Sequence, residues 1–170
     1  MLINLLRRIG VYKFYDNYLK NQISKSEPPV HIALILDGNR RWAKSKLIPE
    51  WMGHFAGADI VDDLLDWCVE LDIKIITLYA LSAENLSRPQ PELERLFEII
   101  SKKLSELLDE PKIDRYKVHV KGIGNLSLLP NEIQEKIQQV ESKTKDYDGL
   151  FFNLALAYGC LLYTSDAADE

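Results

Sequence analysis

Apolar positions along the chain fall into two rhythms that take turns. Short apolar-rich runs occupy residues 30–36 (VHIALIL), 73–81 (IKIITLYAL), 116–124 (YKVHVKGIG) and 150–159 (LFFNLALAYG). Each has the length and apolar content of a strand, and the first reads as a buried one. Between them the spacing becomes helical. A short helix is predicted through Trp42 and Ala43, and a longer one over about residues 54–71, with Ile60, Leu64, Leu65, Cys68 and Leu71 on one face. Another covers 91–108, with Pro91 at its start where a missing N–H does no harm, and another covers 129–144. Residues 82–92 (SAENLSRPQPE) read as a polar loop. Strand and helix alternate four times, which predicts an α/β fold with a parallel sheet flanked by helices.

In open parallel sheets, ligands sit beyond the carboxyl ends of the strands. The first predicted strand ends at Asp37, the second before Ser82, and the fourth at Tyr158 and Gly159. Alternation alone does not place polar residues there. The segment DGNRRWA at 37–43 is neither a Walker loop nor a dinucleotide fingerprint, and GIGNLS at 122–127 lacks the third glycine. Even so, a Gly–Asn turn opening a helix exposes backbone N–H groups suited to phosphate, and Arg41 can add charge-assisted hydrogen bonds. Asp37 is the acid in that turn, and beside a diphosphate its natural partner is Mg²⁺. The plain alternative is an Asx turn with exposed arginines. For Ser82, Glu84, Asn85 and Arg88 it is a helix-capping loop. His54 begins a helix between Gly53 and Gly57, one loop from the phosphate candidate, whereas His31 and His119 lie inside predicted strands and read as structural. No His, Cys and Asp set has zinc spacing, and no nucleophilic serine or cysteine motif stands out.

Composition narrows the classes. The chain has 170 residues, enough for one domain with a core, and 28% charged residues. Asp166, Asp169 and Glu170 supply three of its five net negative charges, so the preceding residues sum to −2. A nearly neutral body gives no electrostatic case for nucleic-acid binding. The two cysteines, Cys68 and Cys160, make no disulfide framework and fit a reducing cytosol. No apolar stretch is long enough to span a bilayer. Residues 1–26 carry Arg7, Arg8, Lys13, Lys20 and Lys25 against Asp16 alone, with apolar residues at helical spacing. They read either as a helix packed on its own domain or as a basic amphipathic helix on a membrane surface.

ILDGNRRWA, GHFAGA, TLYALSAENLSRP and LFFNLALAYG, in this order, resemble the cis-prenyltransferases, a family that includes undecaprenyl diphosphate synthase and its archaeal and dolichol-pathway relatives. The resemblance runs from about Tyr12 to Gly159, and the double arginine and N-terminal helix look more like the archaeal or dolichol branches. It implies a hydrophobic tunnel beside the sheet and a homodimer or heterodimer. It also implies a Mg²⁺-assisted reaction that adds isopentenyl diphosphate to an allylic diphosphate, farnesyl or geranylgeranyl, making a polyprenyl diphosphate lipid-carrier precursor. Carried over by motif, Asp37 resembles the Mg²⁺-linked catalytic acid. Gly38, Asn39, Arg40, Arg41, His54 and Arg88 match residues that hold the allylic diphosphate. Ser82 and Asn85 match the loop that positions isopentenyl diphosphate and serves proton removal, with Glu84 in the same motif.

Three departures follow. Glu50 stands where many members carry a diphosphate-binding arginine, and Leu86 where some carry an aromatic residue. Residues 160–170 (CLLYTSDAADE) resemble a translated sequencing adapter. The expectation is three segments: an amphipathic helix at 1–26, a catalytic part at 27–159 and a non-native tail at 160–170, the alternative being a divergent native tail. In that reading Cys160 carries no function, and the chain as written has little activity. Two other classes compete. A non-catalytic subunit of a heteromeric prenyltransferase tends to lose the acid and loop residues that are retained here. A phosphoryl-transfer enzyme with Asp37 as nucleophile would want a second acid where Asn39 stands.

Overall fold

The computed structural model describes residues 11–23 and 25–159; the expectations for residues 1–10 and for the tail at 160–170 lie outside them. The elements are α1 (Val11–Ile23), β1 (His31–Ile35), α2 (Asn39–Ser45), α3 (Glu50–Glu70), β2 (Ile75–Ser82), α4 (Gln90–Asp109), α5 (Pro111–Arg115), β3 (Val118–Ile123), α6 (Asn131–Thr144) and β4 (Leu150–Tyr158). The four strands form one parallel sheet in the order β1-β2-β4-β3.

The core follows from the period-two alternation. Ile76 and Leu78 of β2, Val118 and Val120 of β3, and Phe152 and Leu154 of β4 are buried on one face. They meet Leu64 and Leu65 of α3, Leu96 and Leu104 of α4, and Ile133 and Ile137 of α6. The central strands β2 and β4 carry most of this apolar surface. β1 corrects the sequence reading. Its run looks uniformly buried, but β1 pairs with β2 alone and lies at the sheet edge, where His31, Ala33 and Ile35 are exposed. A run of apolar residues does not by itself separate an edge strand from a central one. α5 was not visible either, because five residues are too few to show a helical period. It is set by Pro111 at its first position and by the Glu110 carboxylate accepting the Lys112 N–H at 3.1 Å. α1 presents Phe14, Tyr15 and Tyr18 to solvent, while Lys20 pairs with Glu70 of α3 at 2.5 Å.

What positions the loop after β1 is a close helix approach. Gly38 takes a left-handed conformation, φ 86°, which turns the chain sharply from β1 into α2. The first turn of α2 then lies against α3 at Gly53 and Gly57. A Cβ at Gly53 would fall 2.2 Å from the Asn39 carbonyl oxygen, and one at Gly57 2.5 Å from the Asn39 side-chain oxygen. No side chain fits at either place. Gly53→Ala should therefore force α2 away from α3, an overpacking loss of about 1–3 kcal/mol. For a chain of this size the corresponding fall in thermal midpoint is roughly 3–10 °C, checked by circular dichroism melts.

Candidate active site

Three strand ends meet. β1 delivers Asp37, β2 delivers Ser82, and β4 delivers Tyr158. Their loops are tied together: the Ala83 N–H donates to the Tyr158 carbonyl at 3.1 Å, and the Tyr79 hydroxyl donates to the same oxygen at 2.6 Å. After β2, a reciprocal pair shapes the turn. The Ser82 N–H donates to the Asn85 side-chain oxygen at 3.2 Å, and the Asn85 N–H donates to the Ser82 hydroxyl oxygen at 3.1 Å. A 3₁₀ turn over Glu84–Ser87 follows, and Pro89 starts α4. Because the Asn85 oxygen is engaged, its NH₂ is the group left to donate elsewhere.

Between the sheet and helices α3 and α4 lies a cavity of about 460 Å³, within the usual range for small-molecule sites. Its walls are mostly apolar, with Val61, Leu78, Leu96, Ile99, Phe152 and Leu154 among them, and Lys103, Glu106 and Glu110 also line it. Its polar mouth holds Asn39, His54, Asn85 and Arg88, four of the residues singled out from the sequence. They come from α2, α3, the β2 loop and the approach to α4, so the fold converges them from far apart in the chain. Along the seam between α3 and α4 the wall is closed differently. The Arg95 guanidinium lies over Trp51 at 5.4 Å, Lys102 Nζ over Phe55 at 5.6 Å, and Lys103 Nζ meets Asp59 at 2.8 Å.

His54 is half-buried, and its Nε2 is buried without a hydrogen-bond partner. Burial, then the nearby Arg88 charge, pushes its pKa below the ordinary histidine value. A polar atom so placed at a cavity mouth can take a hydrogen bond from a ligand group or from water.

The remaining residues sit around the rim and are already paired. The Arg40 Nε donates to Glu50 at 2.5 Å, and its Nη1 lies 3.9 Å from Glu92. Lys44 also reaches Glu50, at 3.1 Å. The Arg88 Nη1 donates to Glu92 at 3.0 Å. Arg40, then Lys44, holds the Glu50 carboxyl below the usual carboxylate range. Asp37 is exposed, accepting from its neighbour Gly38 N–H and from Arg41 Nη2 at 2.9 Å. Glu84 is exposed, its pKa lowered by the Ser82 hydroxyl. Asp37, Arg40, Arg41, Ser82 and Glu84 are not among the cavity-lining residues. Glu92 was missed from sequence; its one signal is the i,i+4 spacing from Arg88. His31 hydrogen-bonds Thr77 at 2.8 Å across the sheet, and His119 lies against Phe151, both away from the mouth. Among the described residues no three His, Cys, Asp or Glu side chains gather to hold a metal. A lone exposed carboxylate fits a cation that takes its other ligands from phosphate oxygens and water.

The sequence profile of the family described as "Putative undecaprenyl diphosphate synthase" matches residues 35–169. The chain belongs to the undecaprenyl diphosphate synthase family. The family's tritrans,polycis-undecaprenyl-diphosphate synthase (geranylgeranyl-diphosphate specific) of Methanopyrus kandleri is 41% identical over 94% of this chain and 59% of its own length. The protein of the same name from Methanocaldococcus jannaschii is 43% identical over 88% of this chain and 54% of its own. The crystal structure of lavandulyl diphosphate synthase from Lavandula x intermedia, in complex with dimethylallyl diphosphate, superposes with a TM-score of 0.71. It has 30% identity and covers 82% of this chain and 59% of that one. The chain thus spans between half and two thirds of the length of the relatives it matches. The parallel sheet with flanking helices is the architecture of these cis-prenyltransferase neighbours.

A neutral, desolvated His54 has a proton-linked signature. Its pKa is depressed in the folded chain, so its contribution to stability is present above the unfolded value near 6.5 and is lost as pH falls below it. In an NMR titration the His54 ring protons should turn over below pH 6.5. Binding of inorganic diphosphate at the mouth should move that midpoint upward, since an anion favours the imidazolium.

Proposed function

We propose that this chain carries the allylic-diphosphate half of a cis-prenyl chain-elongating enzyme, whose reaction condenses isopentenyl diphosphate with geranylgeranyl diphosphate to lengthen a polyprenyl diphosphate. The observation that carries the reading is the cavity: apolar walls for an isoprenoid tail, and a mouth of Asn39, His54, Asn85 and Arg88 for a charged head. Geranylgeranyl rather than farnesyl diphosphate is favoured as starter because the archaeal relatives bear that specificity in their names.

In this reading Arg88 and the Asn85 NH₂ bind the head group, which supplies the partner that the His54 nitrogen lacks. Gly38 and Asn39 form the turn beside the head group, the Gly38 N–H holding the Asp37 carboxylate, and Arg40 and Arg41 add positive charge at the rim. Asp37 would hold Mg²⁺, which when bound neutralises charge on the departing diphosphate. Ser82 fixes the loop through its clasp with Asn85. Together with Glu84 it marks the side on which isopentenyl diphosphate is positioned, and Asn85 is the candidate for assisting proton removal. The walls exclude water from the allylic centre. A homodimer and a peripheral membrane contact through residues 1–24 belong to the same proposal. The exposed aromatic residues of α1, with the basic excess around them, support that contact, and no helix among the described residues is long and apolar enough to cross a membrane.

The test is binding first. An uncleavable geranylgeranyl diphosphate analogue should bind the chain, and Arg88→Ala should weaken it by about tenfold or more, the loss of a charge-assisted hydrogen bond at a largely buried group. Unchanged affinity would place the head group elsewhere. In the full-length gene product, Asp37→Ala or removal of divalent metal by a chelator should lower incorporation of labelled isopentenyl diphosphate by at least about a hundredfold. The circular dichroism melt should stay unchanged, because Asp37 is an exposed strand-end acid. Near-normal incorporation at saturating Mg²⁺ would remove Asp37 from the chemistry.

A further inference from the structure

The two guanidiniums nearest the mouth are both engaged by carboxylates, and the two engagements differ. Arg88, just before α4, and Glu92, in its first turn, are four residues apart, and both side chains are about three-quarters buried. That pair is local, Arg88 lying two residues before the helix that carries Glu92. Arg40 and Glu50 come from different helices, ten residues apart in sequence, and their side chains are 46% and 34% exposed. A water-exposed ion pair between long side chains contributes little by itself and exchanges readily. Glu50 has a second cation, Lys44, at 3.1 Å, so it need not be stranded if Arg40 leaves. Arg40 has a second anion, Glu92, at 3.9 Å, on the side of Arg88 and the mouth. The pair is therefore built to open in one direction: Arg40 toward the mouth, Glu50 toward Lys44.

We infer that Glu50 is an internal counter-anion that holds Arg40 and yields it to the diphosphate head group. Glu50 is thus a positioning residue that sets substrate affinity without touching the substrate. The inference rests on the reading of the mouth as the head-group site. The head group brings two or more negative charges to a place where Glu50 offers one. It can take Arg40 while Lys44 keeps Glu50 compensated. Affinity is then the difference between the two engagements of Arg40, and neutralising Glu50 removes the competitor.

The experiment uses inorganic diphosphate as the probe and titration calorimetry on the whole chain. Glu50→Gln should tighten binding by about three- to tenfold. Glu94→Gln removes an exposed charge whose carboxylate accepts from Gln90 among the described residues, and should change affinity less than twofold. Arg40→Ala should weaken binding, and adding Glu50→Gln to that background should bring no further tightening. The Arg40 Nε–H resonance should shift when diphosphate is added to the wild type, and should begin nearer its shifted position in Glu50→Gln. If glutamine at the start of α3 unfolds the chain, Glu50→Asp is read instead. It keeps the first-turn charge while shortening the reach, and should tighten binding in the same direction. Affinity in Glu50→Gln equal to wild type, equal to the Glu94 control or weaker overturns the inference and leaves the head-group site standing. So does tightening that persists without Arg40. Diphosphate binding to none of the proteins, or binding indifferent to Arg88→Ala, overturns the head-group site and the inference with it.

Discussion

The site depends on two helices touching backbone to backbone. α2 can present its first turn over the cavity only because α3 offers no side chain at Gly53 and Gly57, and so lets the Asn39 backbone and amide lie directly on it. From that contact the other positions follow. Asn39 is fixed at the mouth, Arg40 and Arg41 leave on successive sides of α2, and His54, between the two glycines on α3, is carried under Asn39 into the same opening. Side chains of ordinary size at this junction would open the angle between the helices and move the whole loop off the cavity.

Much of the architecture was legible because the chain's apolar pattern is locally consistent. β2, β4, α4 and α6 lie within two residues of their predicted bounds, since strand residues such as Ile76 and Leu78 alternate and helix residues such as Leu93, Leu96 and Leu104 keep a helical period. What escaped was whatever pairing across the sequence decides. Nothing in VHIALIL says that β1 has one neighbour rather than two. α3 begins at Glu50 rather than near His54 because its first turn carries Glu50, Trp51 and Met52, whose partners lie on α2 and α4 or in solvent. The convergence of Asn39, Asn85 and Arg88 was foreshadowed by their positions after strand ends, and that of His54 by its place one loop from the β1 turn. That His54 would have an orphaned nitrogen was not, because burial is a property of the assembled mouth.

The charges at the mouth are nearly balanced before any ligand arrives. Arg40, Lys44 and Arg88 face Glu50 and Glu92, and the surplus is one positive charge. A site for a multiply charged anion could be built from uncompensated cations, at the expense of repulsion among them in the folded chain. Here the repulsion is relieved internally, and the uncharged donors, the Asn39 and Asn85 amides and the neutral His54 ring, provide hydrogen bonds that carry no electrostatic penalty. In the proposed reading the two tasks would be separate: neutral groups would fix where a head group lies, and ionic groups would govern how tightly it is held.

The wall between α3 and α4 gives the cavity an unequal stiffness. On the sheet side, Phe152, Leu78 and Leu154 are interlocked apolar surface, and parting them would open a void with nothing to fill it. On the helix side, buried Leu64 and Leu65 of α3 and Leu96 of α4 are joined at the outer edge by Arg95 on Trp51, Lys102 on Phe55 and Lys103 on Asp59, contacts whose charged tips water can also solvate. Displacement along that seam therefore meets less resistance than displacement across the sheet. In the proposed reading the enclosure would have a firmer floor than roof, and the length of isoprenoid it admits would follow from how far the α3–α4 seam yields as well as from its resting volume.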